Sequence, residues 1–396
     1  MDNSNNIFRL LVYSRASRSI ALIYMTLAFS LYLTALGVDI IDIGIVAAIT
    51  LLFMIFMVLG LGAMGDRYGY KYELAVAEIF SFLGALVIAV STNTTFIIIG
   101  IIIAGLSSGA GGLRGAFSPG INAFIASSYP NQADRIKKFS VLTVVSAISA
   151  IFGSAMFGLV SIMGKYVGVL TAYRYLFFIS AVMLAFSLIC LLLLQERKRP
   201  AKTTKVMKSS SSKYISKVII ANSLGGMGMG LSIPLLPLWF KLLYNANPLQ
   251  ISAIFIISYI MTALGSYMSS RISYKIDALN MASSTRSLNG VFLIFMSLSP
   301  ILPLSGFFYI FRAFFVGIGS PSRTAINIKG IHDEDYGTAT SIQGAASRIS
   351  QLSSGASGYL MDYSLPFPIF VGGVLQIASG IAYKLMFRNK QENQHM

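Results

Sequence analysis

Apolar residues fall into twelve long runs parted by short polar breaks, near 19–37, 43–61, 74–92, 96–126, 139–163, 172–194, 214–243, 249–268, 279–299, 303–328, 337–360 and 366–387. A helix needs roughly 20 apolar residues to cross the hydrocarbon core of a bilayer, so each run predicts a membrane helix. The fourth, seventh, tenth and eleventh runs are the least uniform, because Arg, Asn, Gln, Ser, Gly and Pro are scattered through them. In the seventh, Gly225, Gly226, Gly228, Gly230, Pro234 and Pro237 stand between Asn222 and Trp239. Such content in a membrane helix is tolerated where neighbours or a water-filled cavity satisfy the freed backbone groups. A flexible, cavity-lining helix that bends during gating is expected there, with Trp239 as an aromatic anchor at the outer interface.

The polar breaks give the chain its organisation. From Gln195 to Lys213 the sequence is basic and serine-rich, and it reads as a cytoplasmic linker between one six-helix bundle at 1–194 and a second at 214–396. An internal repeat supports that division. Tyr70-Lys71 pairs with Tyr274-Lys275 at an offset of 204, while Ser118-Pro119 pairs with Ser320-Pro321, and Gly153 with Gly355, at an offset of 202. Lysine and arginine gather in alternate breaks, at Arg67 and Lys71, Arg135 to Lys138, Arg197 to Lys213, Arg271 and Lys275, and Lys384 to Lys390. Basic loops are retained on the cytoplasmic side, which predicts a plasma-membrane protein with both termini in the cytoplasm.

Composition narrows the class. The chain is 55% hydrophobic and 11% charged, with a mean hydropathy of +0.73, too apolar for a soluble globule, so its first partner is the lipid bilayer. A formal charge of +16 raises nucleic acid as a partner. The basic residues lie between apolar runs, however, without the aromatic-interleaved basic face that nucleic-acid binding shows, and no such partner is expected. Cys190 is the single cysteine, which excludes an intrachain disulfide. His332 and His395 are the only histidines, and neither an H-E-x-x-H motif nor an embedded carboxylate dyad is present. No metal, cofactor or enzymatic activity is expected. The first eighteen residues, ahead of the first run, are polar and basic, and no small-residue cleavage site follows a short apolar core, so a removed signal peptide is not expected.

The break between the second and third runs is Gly62-Ala-Met-Gly-Asp-Arg-Tyr-Gly-Tyr-Lys71, a charged, glycine-rich decapeptide. Gly62, Gly65 and Gly69 permit a tight turn and close helix approach, which predicts a hinge loop at a membrane face. Its G-x-x-G-D-R-x-G-x-K pattern resembles the loop signature of the major facilitator superfamily between its second and third helices. Gly265 to Lys275 is a weaker copy, with Ser270 in the place of Asp66. Helix count, repeat and polarity extend the resemblance over essentially the whole chain. It implies an all-α polytopic membrane protein of twelve transmembrane helices in two six-helix repeats, working by alternating access about a site between the halves. It also implies that Gly62, Gly65, Asp66, Arg67, Gly69 and Lys71, with Arg271 and Lys275, form a cytoplasmic gate. In that gate Asp66 meets the N-terminal end of the eleventh helix near Gly337-Thr338, whose N–H groups favour a carboxylate.

Ionisable side chains inside the spans point to solute contacts, because charge in hydrocarbon is costly and turns toward the bundle interior. Arg114, Arg312 and Arg348 stand in the fourth, tenth and eleventh runs, Arg348 beside Gln343, Ser347, Gln351 and Ser354 at helical spacing. Asn122 and Asn222 offer hydrogen bonds to a solute or to a neighbouring helix. Arg286, near the cytoplasmic end of the ninth run, is expected to snorkel to the headgroups. Asp42, at the outer junction of the first two runs, and Glu78, close to the cytoplasmic end of the third and read as interfacial, are the candidates for proton coupling. Drug–proton antiporters of the superfamily often carry an acid in the first helix, and Ile20 to Gly37 contains none. In the fifth run, Gly153-Ser-Ala-Met-Phe-Gly158 matches their G-P-x-x-G-G pattern only in part and reads as helix packing. Arginine in excess of acid within the spans inclines the small-molecule substrate toward an anionic or polar organic solute carried by a monomer. The alternatives are a multidrug or metabolite exporter of lipophilic compounds, with or without proton coupling, and a membrane sensor that transports nothing.

Overall fold

A computed structural model of the chain describes residues 2–106, 121, 124–125, 132–195, 209–272, 276–331 and 336–388, and these are helical apart from short connections. The chain separates into two compact units, Met1–Thr203 with Asn247–Ala253, and Thr204–Ala246 with Ile254–Met396.

The first unit holds α1 (Asp2–Ala35), α2 (Ile40–Tyr68), α3 (Tyr70–Val90), α4 (Thr94–Ala104), α5 (Gln132–Val167) and α6 (Val169–Leu192). Helix α6 packs on α1 and α3, α1 on α5, and α3 on α4. Tyr24, Tyr32 and Phe177 form an aromatic core between α1 and α6, with ring centroids 5.2 and 5.4 Å from Phe177. Asn93 starts α4 by accepting the amide of Thr95 at 2.8 Å, the usual role of an asparagine at a helix N-cap. Where α3 meets α4, a Cβ on Gly84 would lie 2.5 Å from the carbonyl oxygen of Gly100, so this contact needs residues without side chains.

Two expectations for this unit are corrected. The first helix starts well before residue 19, taking the polar, basic stretch into α1, and Ser14, Arg15, Ser17, Arg18 and Ser19 are all buried. Their spacing of three and four residues gathers them on faces that α3, α5 and α6 cover, and the helix satisfies their backbone internally. The decapeptide is not a loop. Helix α2 runs on through Tyr68 and α3 begins at Tyr70, leaving Gly69 alone as the turn at φ 113°, ψ 149°. A helix keeps its backbone bonded as it leaves the bilayer, and only glycine enters that φ cheaply.

The second unit holds α7 (Ser209–Ser232), α8 (Leu236–Tyr244), most of α9 (Pro248–Ile272), α10 (Ala278–Ser297), α11 (Leu302–Lys329), α12 (Tyr336–Gln351), α13 (Ser354–Tyr363) and α14 (Phe367–Arg388). Helix α10 packs on α11 and α14, and α7 on α12 and α14. The seventh run is broken, with a bend of 46° between α7 and α8. The break contains Pro234, which has no N–H to continue the ladder. The glycines before it serve a different end: a Cβ on Gly228 would lie 2.6 Å from the carbonyl oxygen of Gly372 in α14.

Trp239 is not an interfacial anchor. It is 1% exposed, and its Nε1 donates to the carbonyl of Leu365 at 2.7 Å, because the bend turns α8 inward. The eleventh run is broken at Leu352-Ser353 into α12 and α13, so Ser354 does not share one continuous helix with Gln343, Ser347 and Gln351.

Every one of the twelve runs thus carries a helix or a broken pair. Among the described residues, eight helices are long and apolar enough to cross a membrane, nine with α7 and α8 taken as one span. The fourth run extends past the end of α4 into residues outside those described, α10 carries Arg286 and Asn289, and the eleventh run is split. The chain is an all-α integral membrane protein.

Candidate functional site

Each unit encloses a polar cluster. In the first, Arg18 of α1 pairs with Glu78 of α3, both buried. Arg18 Nη1 also donates to Ser81 Oγ at 3.3 Å. One turn earlier on α1, Arg15 Nη2 donates to Ser146 Oγ of α5 at 3.3 Å. Glu78 is fully buried, which corrects its interfacial reading: α1, entering the unit earlier than expected, brings two guanidinium groups into the interior beside it. A buried ion pair holds only when partners replace the lost water, and the cluster carries more positive than negative charge. Arg18 also borders a cavity whose walls include Leu22, Phe53, Met57, Phe80 and Ser81. Asp42 stands elsewhere, exposed in the first turn of α2.

The gate residues are placed on the ends of α2 and α3. Gly62 and Gly65 lie within α2, and Gly65 is buried against the side chains of Glu73 and Tyr70. Asp66 is in the last turn, its side chain outside the described residues. Arg67 is exposed, its guanidinium carbon 5.4 Å from the Tyr68 ring centroid. Lys71 is half-buried in the first turn of α3. In the second unit, Arg271 ends α9 with Nη2 donating to the Tyr267 hydroxyl at 2.8 Å. Lys275, Arg114 and Asn122 lie outside the described residues.

The second cluster spans α7, α10, α11, α12 and α14. Arg286 does not snorkel outward. Its Nη1 donates to Asn222 Oδ1 at 2.9 Å and to Ser379 Oγ at 3.0 Å, and its guanidinium lies 5.5 Å from the Tyr383 ring centroid. Polar partners at the matching depth on α7 and α14 make the inward rotamer the better solvated one. Asn222 Nδ2 donates to Asn327 Oδ1 at 3.3 Å, the Tyr383 hydroxyl to the same oxygen at 2.5 Å, and Gln343 Nε2 to the Asn327 carbonyl at 3.1 Å. Below it, Asn289 Nδ2 donates to Gln376 Oε1 at 3.2 Å, and Gln376 Nε2 to the Gly225 carbonyl at 2.6 Å.

Two predicted solute residues thus meet in this cluster, Asn222 and Gln343. Gln351 Nε2 instead donates to Ser347 Oγ at 3.2 Å along α12, where Arg348 is half-buried. Arg312 is buried apart from the amides, with Nη2 3.2 Å from Met229 Sδ and its guanidinium 5.3 Å from the Tyr309 ring centroid. Asn327, Tyr383 and Ser379 were not anticipated. A signal existed, since Ser283, Arg286 and Asn289 on one run and Gln376, Ser379 and Tyr383 on another recur at helical spacing.

Comparison with known proteins accords with this architecture. Residues 11–353 match the family model of the Major Facilitator Superfamily. Among curated relatives, the Quinolone resistance protein NorB of Staphylococcus aureus (strain MW2) is 28% identical over 229 residues, 58% of this chain and 43% of that protein. The chain therefore spans less than half the length of the curated relatives it matches. Among solved structures, the POT family transporter PepTSo superposes with a TM-score of 0.76 at 12% identity, covering 98% of each chain. A bacterial homolog to the human lysosomal transporter Spinster gives 0.73 at 12% identity, covering 98% of this chain and 97% of the other.

Proposed function

This chain belongs to the Major Facilitator Superfamily, and on that premise we propose that it moves a small organic anion or polar solute by rocker-switch alternating access. As a family member it is a membrane transporter, not an enzyme. One observation carries the choice of solute. In the described helices of the second unit, Arg286, Arg312, Arg323 and Arg348 lie within the spans, while the only carboxylate is Asp362 near the end of α13. Charge inside a span turns toward the bundle interior or a water-filled pathway, and an interior richer in cations than in acids favours an anionic solute. Arg348, Arg312 and Arg114 are the proposed charge contacts, with Asn222, Gln343, Gln351 and Asn122 as hydrogen-bonding contacts.

The gate is proposed at Gly62, Gly65, Asp66, Arg67, Gly69 and Lys71, with Arg271 and Lys275 as its counterpart, both termini cytoplasmic and the protein a plasma-membrane monomer. Export of lipophilic compounds is the second reading, favoured by the similarity to a quinolone resistance protein and by the Phe53, Met57 and Phe80 walls of the cavity at Arg18. Where protons are coupled, Glu78 is the carrier and not Asp42, because only Glu78 is buried beside cations whose pairing a proton can alter.

Flux into proteoliposomes separates these readings. Uptake or exchange of labelled organic anions that Arg348→Gln or Arg312→Gln abolishes supports the anion reading. Flux of lipophilic cations that both variants retain moves export to first place, and binding without any flux points to a sensor.

A further inference from the structure

The hydrogen-bond direction of the second cluster is fixed by Arg286. A guanidinium only donates, so the atom of Asn222 that it meets at 2.9 Å is the carbonyl Oδ1. Asn222 Nδ2 is then the donor toward α11, which makes the atom it meets at 3.3 Å the carbonyl Oδ1 of Asn327. The Tyr383 hydroxyl, 2.5 Å from that same oxygen, donates as well. Both lone pairs of Asn327 Oδ1 are thereby occupied, and what Asn327 has left is Nδ2, with two N–H groups that meet no partner among the described residues. Gln343 anchors the backbone at this point through the Asn327 carbonyl.

The network therefore runs one way, from a cation outward, and terminates in donors. Arg286 itself touches only neutral groups, Asn222, Ser379 and the Tyr383 ring, so its charge is not cancelled and polarises the amides bonded to it. Asn222, Asn327 and Gln343 are half-buried, within reach of a solute. Donors backed by a cation complement an oxyanion and leave an incoming cation or hydrogen-bond donor unmatched.

We propose that Asn327 Nδ2, polarised by Arg286 through Asn222, binds the carboxylate or comparable oxyanion of the transported solute within the second unit. The inference rests on the reading of the protein as an organic-anion transporter. Arg286 acts here as a positioning residue, holding the amides in the donor-outward sense without touching the solute.

The test uses the purified full chain in neutral detergent without anionic lipid, with thermal stabilisation by a quinolone carboxylate, its decarboxylated analogue and a lipophilic phosphonium cation as probes. Only the carboxylate should raise the melting temperature. Asn327→Asp, which keeps the shape but reverses the electrostatics, should abolish the rise, and so should Asn327→Ala if the aspartate variant folds poorly. Arg286→Gln should weaken apparent affinity about tenfold, the loss expected for one charge-assisted bond. Its glutamine can present either amide atom to Asn222, so discrimination between the carboxylate and its decarboxylated analogue should fall too, which lost packing alone would not cause. Equal stabilisation of wild type and both Asn327 variants by the carboxylate would overturn the site while leaving the anion reading intact. If no carboxylate stabilises the wild type, the anion reading falls and this inference with it.

Discussion

Replacing Glu78 by Gln tests whether the pair between α1 and α3 organises the first unit. Glutamine matches glutamate in shape, so the packing of α3 against α6 is kept while the buried Arg18–Glu78 ion pair is lost. Removing one partner of a buried pair costs about 3–5 kcal/mol, and Arg15, one turn away, adds like charge to the same pocket. Cys190 provides the assay, being the single cysteine and buried in α6 of the same unit. Its labelling by a thiol-reactive dye reports the opening of the unit. At about 1.4 kcal/mol per tenfold change, the variant should label about two to three and a half powers of ten faster than wild type when opening is at equilibrium. The double variant Arg18→Met/Glu78→Leu removes both charges and should recover most of that difference, since apolar replacements of a buried pair are often tolerated. A Glu78→Gln rate within about threefold of wild type, comparable to a surface pair, or a double variant as fast as the single one, would refute the reasoning.

Three further outcomes are expected. Gly69→Ala should destabilise the α2–α3 turn by about 1–3 kcal/mol, because φ 113° is strained for a residue with a Cβ; thermal unfolding unchanged from wild type would show that the turn relaxes. Trp239 is the single tryptophan, so intrinsic fluorescence reads its burial directly: blue-shifted emission resistant to aqueous quenchers and to brominated lipid is expected, whereas quenching by brominated lipid would return it to the interface. Asp66→Asn should shift the resting population toward inward-open, and unchanged accessibility of cysteine probes at the cytoplasmic gate would remove Asp66 from the gate.

Much of the fold was legible because the bilayer imposes one length and one polarity on every span. The apolar runs gave helices in each case, and Pro234 gave a bend where its missing N–H required one. Glu78 and Arg286 were misplaced for a common reason. Their positions along α3 and α10 suggested nearness to a membrane face, but a side chain's environment depends on what the neighbouring helices present at that height. The sequence alone does not set those heights. The early start of α1 carried Arg15 and Arg18 to the level of Glu78, and Asn222 and Ser379 met Arg286 at its own.

The sequence by itself determined that the chain is helical, membrane-embedded and richer in arginine than in acid within its spans, because hydropathy and charge are properties of single positions. Which cations are paired, which amides face one another and in which sense their hydrogen bonds run was decided only by tertiary structure. Hydrogen bonds and ion pairs are short-ranged and directional, and residues more than a hundred positions apart, such as Asn222 and Asn327, come within that range only when their helices pack.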